Sequence, residues 1–259
     1  MKQRRPARLH LFITISLIMA SAWGAAAAWA AEPDFKAMLK TIDTRSNFSG
    51  LDLTAKMLLV SDDPERGHEV KSARTFRRDS DDAFLTLFLE PKSQLGQGYL
   101  KVDDNLWFYD PESRKFTHTS LKENVQGTDM KNSDFGQSSL ASDYKITKWS
   151  EGKLGAYEVW LLDLEATNNE ATYPFKKIAV SKKDELLLKS EDYSLSRRLL
   201  RTAYYPSYAK AGSSYIADKT LFVDALVSGK KTQMSMSEIS VAPIPDSVFT
   251  KAYVERVNR

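Results

Sequence analysis

Most of this chain alternates between apolar and polar side chains with a period of two, and its two ends do not. Leu51, Leu53, Ala55, Met57 and Leu59 alternate with Asp52, Thr54 and Lys56, the pattern of a strand with one buried face. Residues 83–89 are apolar on both faces, so a strand there must be covered twice. Residues 98–102, 106–109 and 114–120 read as a three-stranded meander. Asp103-Asp104-Asn105 supplies the first turn and Asp110-Pro111-Glu112-Ser113 the second, because Asp and Asn tolerate turn backbone angles and Pro presets the second position of a type I turn. Alternation returns at 70–79, 143–150, 155–165, 175–182, 186–194, 197–205, 215–226 and 231–241. Turns are expected at 151–154, 183–185 and 228–229, and a loop at 206–214. The expected total is about ten or eleven strands at fairly regular spacing, which means an antiparallel sheet, sandwich or barrel. A sheet of that size curls.

The period changes to helical at both ends. Phe35, Met38, Leu39 and Ile42 fall at i, i+3, i+4 and i+7, predicting a helix over 34–45 with Pro33 and Asp34 at its start. Its stripe either packs on the sheet or acts as a lid. Residues 247–257 carry Val248, Phe249, Ala252, Tyr253 and Val257 on one side, behind the stop Pro243-Ile244-Pro245 and the N-cap candidate Asp246. Between them 121–139 follows neither period. It is polar, holds Gly127 and Gly136, and reads as a long loop of the functional or mobile kind. The fold class is therefore mainly β with some helix (α+β).

The first residues change the picture of where the chain works. Lys2, Arg4, Arg5 and Arg8 precede the apolar run 11–20, and Ala28-Trp29-Ala30 follows with the small-x-small pattern of a cleavage site. This reads as a cleaved signal peptide, residues 1–30, ahead of a single domain over 31–259, and predicts a periplasmic protein. Removing residues 1–31 leaves 33 bases against 34 acids, so the formal charge of +3 belongs to the leader. The balance gives no reason for a nucleic-acid partner. The absence of cysteine excludes disulfides, thiolate metal sites, Cys nucleophiles and a lipidated N-terminal Cys.

Candidate chemistry is sparse. His68 and His118 are the only histidines after the leader and lie in separate strands. No H-E-x-x-H, G-x-S-x-G, P-loop or dinucleotide fingerprint occurs. Gly96 and Gly98 precede a strand rather than a helix, so they are not a phosphate loop. The pairs Asp62-Asp63, Asp81-Asp82 and Asp103-Asp104 fall in expected turns, where Asp is favoured for backbone reasons. A secreted hydrolase would need one of these carboxylates or histidines brought into a cleft with a partner. The expectation is no enzyme, no metal and no cofactor.

Several short stretches share an order with one family. They are Gly96-Gln97-Gly98-Tyr99-Leu100, then 104–111, Arg114-Lys115 and Ser133-Asp134-Phe135, and finally Ile244-Pro245-Asp246 with Phe249-Thr250-Lys251-Ala252-Tyr253. On these, over about residues 34–256, the chain resembles the LolA-like outer-membrane lipoprotein-sorting proteins. The resemblance implies a strongly curved antiparallel half-barrel with the N- and C-terminal amphipathic helices on its concave side and a hydrophobic cavity between. It also implies a monomeric periplasmic carrier of lipid or lipoprotein acyl chains between the inner and outer membranes, with an inner-membrane transporter as a partner. The other reading it leaves open is a sensor or adaptor docking a membrane protein. Such a cavity would draw on Leu39 and Ile42 of the first helix and on Leu53, Met57 and Leu87. From the meander it would take Trp107 and Tyr109; alternation alone does not decide between these two and Leu106 with Phe108.

Overall fold

The computed structural model describes residues 33–48 and 50–258; the leader, and with it the signal peptide and its cleavage site, lies outside the described residues. The order is α1 (Phe35–Ser46), β1 (Asp52–Asp63), β2 (Gly67–Arg78), β3 (Ala83–Glu90), β4 (Gly98–Val102), β5 (Asn105–Asp110), β6 (Lys115–His118), α2 (Leu140–Asp143), β7 (Tyr144–Leu154), β8 (Tyr157–Ala166), β9 (Phe175–Ser181), β10 (Leu187–Tyr193), β11 (Leu199–Ala211), β12 (Ser214–Asp224), β13 (Lys231–Ser240) and α3 (Lys251–Val257). All thirteen strands form one antiparallel sheet in the order 6-5-4-3-2-1-13-12-11-10-9-8-7. Two meanders, β1–β6 and β7–β13, are thus zipped along β1 and β13, with Met57 opposite Met236 and Leu59 opposite Met234.

Thirteen replaces the expected ten or eleven, because every alternating stretch is a separate strand. The sheet is curved and not closed. Its edges, β6 and β7, are consecutive in the chain. At about 4.8 Å per strand a flat sheet would hold them roughly 58 Å apart. The link over 119–143 doubles back on itself at an Asn124–Lys131 bridge, so it joins the edges only if the sheet curls. Register shifts in β1/β13, β11/β12 and β7/β8 supply extra twist. One falls at Pro206, so the loop expected over 206–214 is instead strand, turning at Gly212. A bulge is where a strand accepts proline. The hairpin expected at 151–154 turns a little later, at Gly155, whose φ is 58°.

Register assigns the faces. Leu53, Ala55 and Met57 stand opposite Arg77, Thr75 and Ala73; these meet Phe84, Thr86 and Phe88, and the series continues through Tyr99 and Lys101 to Phe108 and Leu106. This is one face. Trp107 and Tyr109 lie on the other, with Leu85, Leu87 and Leu100. The apolar sides of β3 are therefore covered by different things. Phe135, Val125 and Met130 of the 119–143 link pack with Phe84, Phe88 and Tyr99. Ile244, Val248, Phe249 and Val254 pack with Leu85, Leu87, Leu100 and Tyr109.

The helices do not both cover the concave side. α1 lies on the face of the link, its Phe35 against Trp149 and Trp160 with centroids 5.1 and 5.6 Å away. α3 lies on the opposite face. The pattern over 247–257 also breaks: a 3-10 turn over Asp246–Phe249 ends at Thr250, which is extended and caps Tyr253 through its side chain. Asp34 does cap α1, accepting from the Ala37 amide at 2.9 Å. In the meander Gly98 is required by crowding, because a Cβ there would sit 2.3 Å from the Thr86 carbonyl oxygen. Among the described residues no helix is long and apolar enough to cross a bilayer.

Candidate functional site: a cavity beneath the 119–143 link

The link and α1 roof a half-open cavity of about 420 Å³ against the sheet. Its apolar wall is drawn from both meanders: Leu53, Met57 and Phe84 from one, Ile178, Phe222 and Met234 from the other, with Ile42 of α1 and Phe135 of the link above. Of the expected lining residues, Ile42, Leu53 and Met57 line it. Leu39 is buried one turn away, packed with Leu162 and Ile178. Leu87, Trp107 and Tyr109 do not reach it: they lie on the other face, under the C-terminal segment. Two-sided apolarity made both faces of β5 equally good candidates, and only the pairing register separates them.

The roof is fastened by polar groups. Asp43 on α1 accepts from the Leu140 and Ala141 amides at 3.0 and 2.7 Å, so it caps α2. Asn47 and Ser138 exchange two hydrogen bonds, at 2.8 and 2.7 Å. Further along, the Asp129 amide donates to Thr232 of β13 at 3.0 Å. Asp134 accepts both guanidinium branches of Arg201, at 2.6 and 3.2 Å, and the Lys131 amide at 2.7 Å. Charged and bidentate bonds of this kind are the stronger ones.

Arg201 belongs to a buried charge cluster under the cavity. Its Nε donates to Asp192 at 2.9 Å, Lys176 donates to the other Asp192 oxygen at 2.5 Å, and Ser190 adds a bond of 2.9 Å. Burial opposes ionisation of Asp192, yet Lys176 and Arg201 outweigh it and hold the carboxyl below the usual range. The register makes the cluster: Asp192 faces Arg201 on β11 and Lys176 on β9. Sequence reasoning missed it because three charges at inward strand positions read as exposed until the strands are paired. The other cations lining the cavity are matched too: Arg77 by Asp79 at 2.5 Å and Lys101 by Asp82 at 2.5 Å.

Tyr144, Tyr173, Tyr205, Tyr208 and Tyr215 also line the space. Tyr144 donates to the Tyr173 carbonyl at 2.9 Å and Tyr208 to the Leu187 carbonyl at 2.6 Å. The histidines lie elsewhere: His68 bonds Asp62 at 2.8 Å beside the β1–β2 turn, and His118 accepts from Trp107 at 3.1 Å on the edge strand. What the cavity offers is a mixed lining, with an apolar wall and a polar floor whose cations are each paired with a carboxylate.

Comparison with known folds agrees with this description. A LolA superfamily protein from Nitrosomonas europaea superposes with a TM-score of 0.73 at 21% identity, over 84% of this chain and 98% of its own. A domain named as an outer membrane lipoprotein-sorting protein, from Vibrio parahaemolyticus, gives 0.76 at 19% over 85% and 98%. A DUF1329 family protein from Desulfovibrio piger gives 0.74 at 17% over 85% and 96%. The fold is therefore the LolA-like fold that the sequence motifs suggested. A family model described as "Uncharacterized protein" matches residues 80–256, well over half of the chain, and the chain belongs to that family. No curated protein matches it by sequence.

Proposed function

We propose that this protein is a non-enzymatic carrier in the periplasm, a single domain over 31–259 released from its leader, that shelters the acyl chain of a lipid or lipoprotein from water. The observation that carries this reading is the cavity of about 420 Å³ between the curved sheet and the 119–143 link, within the usual range for small-molecule pockets. Each methylene removed from water gains about 0.8 kcal/mol, and a bilayer offers nearly the same gain. A carrier has to stay near balance with the membrane, or it loads and never unloads. A roof held by polar bonds suits that demand, because water can replace polar partners when it lifts. The LolA-like fold supports the same reading, and exchange with an inner-membrane transporter is consistent with it.

The test is native mass spectrometry of gently purified protein together with titration by a fluorescent acyl probe. Co-purified lipid and saturable probe binding are expected. Ala217→Trp, which places an indole on the cavity wall, should weaken the probe at least about tenfold with thermal stability retained. If no lipid co-purifies and no acyl probe binds, the carrier reading fails.

A further inference from the structure

Two side chains lining the cavity, Tyr173 from the β8–β9 loop and Thr220 from β12, are 4% and 1% exposed, and the hydroxyl of each lacks a hydrogen-bond partner among the described residues. Buried hydroxyls are ordinarily paired, and one left alone is costly. Thr220 is fixed toward the cavity by register, opposite Met234 and on the face of Phe222. Tyr173 is held by its ring, with the Lys176 ammonium 4.9 Å and the Arg201 guanidinium 5.2 Å from its centroid. Burial pushes its hydroxyl well above the ordinary tyrosine range, despite the opposing pull of Arg201, so at neutral pH it is an uncharged donor and acceptor.

The cations of the same cavity are engaged. Lys176 and Arg201 share Asp192, and Arg201 also takes Asp134. Arg77 holds Asp79 and Lys101 holds Asp82. An anionic head at Arg77, Lys176 or Arg201 would have to break one of these pairs and leave the buried carboxylate of Asp79 or Asp192 behind, which is costly; Lys101 is also held by the Asp82 and Asp103 carbonyls. The unmet demand is for neutral hydrogen bonding alone.

Taking the carrier reading as its base, we infer that the cavity selects an amphiphile whose polar end is uncharged, an ester, amide or hydroxyl that hydrogen-bonds Tyr173 and Thr220, over one ending in a phosphate or carboxylate. The acyl chain lies against Met57, Phe84 and Phe222, and the neutral polar group meets the two hydroxyls.

The experiment displaces a fluorescent acyl probe from the whole mature protein with three competitors sharing a long chain: 1-oleoylglycerol, oleoyl-lysophosphatidate, which adds a phosphate to the same ester, and 1-octadecene. The expected order places 1-oleoylglycerol about tenfold or more ahead of both others. Tyr173→Phe and Thr220→Val should each weaken 1-oleoylglycerol about fivefold and leave 1-octadecene unchanged. Because each removes an unpaired buried hydroxyl, the ligand-free variants should be as stable as the parent or more so; a purely structural role predicts the reverse. Equal affinity for the glyceride and its phosphate, or unchanged glyceride affinity in both variants, overturns this inference while leaving the carrier reading intact. Failure of every competitor and of the probe itself overturns the carrier reading and this inference with it.

Discussion

The two faces of β3 and β4 carry two coverings built on opposite principles. On one side the segment 243–257 is held by apolar contact: Ile244, Val248, Phe249 and Val254 fill against Leu85, Leu87 and Leu100, and the polar clamp of Asp52, Arg78 and Asp246 only fixes its entry. On the other side the link over 119–143 has a few apolar pegs, Val125, Met130 and Phe135, and is otherwise stitched by side-chain bonds to Asp43, Asn47, Thr232 and Arg201. The first fills the space beneath it and the second leaves a half-open cavity. Apolar contact is lost only by exposing hydrocarbon to water. The hydrogen bonds to Asp43 and Asn47 are part-buried and can be traded for solvent at lower net cost, whereas the buried Arg201 pairs cannot. The difference lies in what holds each covering: apolar packing for 243–257, and polar bonds anchored at Arg201 for the link.

The largest expected effect attacks the polar side at its centre. Arg201→Met leaves Asp192, wholly buried, with Lys176 and Ser190 only, and leaves Asp134 without its bidentate partner. Breaking a buried pair from one side costs about 3–5 kcal/mol. Chemical denaturation should register that loss, and hydrogen exchange should show 120–136 released before 244–254. The double variant Arg201→Met, Asp192→Asn should recover part of it. If the single variant is as stable as the parent, the cluster does not fasten the roof.

The apolar side is broken by Phe249→Ala. Phe249 is buried with the Arg78 guanidinium 5.0 Å over its ring, and truncation should cost about 3 kcal/mol. The comparison demands that acyl-probe affinity, corrected for the unfolded fraction, stay unchanged, since this residue lies on the other side of the sheet from the cavity. A matched loss of affinity and stability would mean that the two coverings move together.

Much of this contrast was legible before any coordinates, but not its geometry. The helix of Phe35, Met38, Leu39 and Ile42 and the turns at Asp103 and Gly229 follow from local rules, and each is where the sequence puts it. The double apolarity of 83–89 correctly demanded two coverings. What local rules do not supply is which covering meets which side chain: Trp107 and Tyr109 are cavity candidates by alternation, and the register puts them on the other face. Parity along a strand fixes which residues share a face; it does not name the face. The charge cluster was hidden for a related reason. Lys176, Asp192 and Arg201 lie on three successive strands, separated by 16 and 9 residues, and neutralise one another only through the pairing of β9, β10 and β11. The break at Thr250 and the strand through Pro206 went unseen because each is a local exception kept by tertiary contacts.

The smallest effect separates the coverings by pH. Asp52, on the apolar side, is opposed by burial but held below the ordinary carboxylate range by Arg78 and the Ile244 amide. Its contribution is present above the unfolded-state value and disappears as pH falls through its lowered folded-state value; Asp192 behaves the same way. Asp129, in the link, runs in the opposite direction. Burial pushes its carboxyl above the ordinary range, only partly offset by Thr232 and Lys230, and its Oδ1 lacks a hydrogen bond among the described residues. The folded state then binds this proton more readily than the unfolded chain, so mild acidification through the raised value should tighten the link before stronger acid weakens both sides. Asp129→Asn should reproduce that tightening at neutral pH and abolish its pH dependence. Hydrogen exchange at 124–132 measured against 244–254 reads the difference, and equal pH response of the two segments in parent and variant would remove Asp129 as its cause.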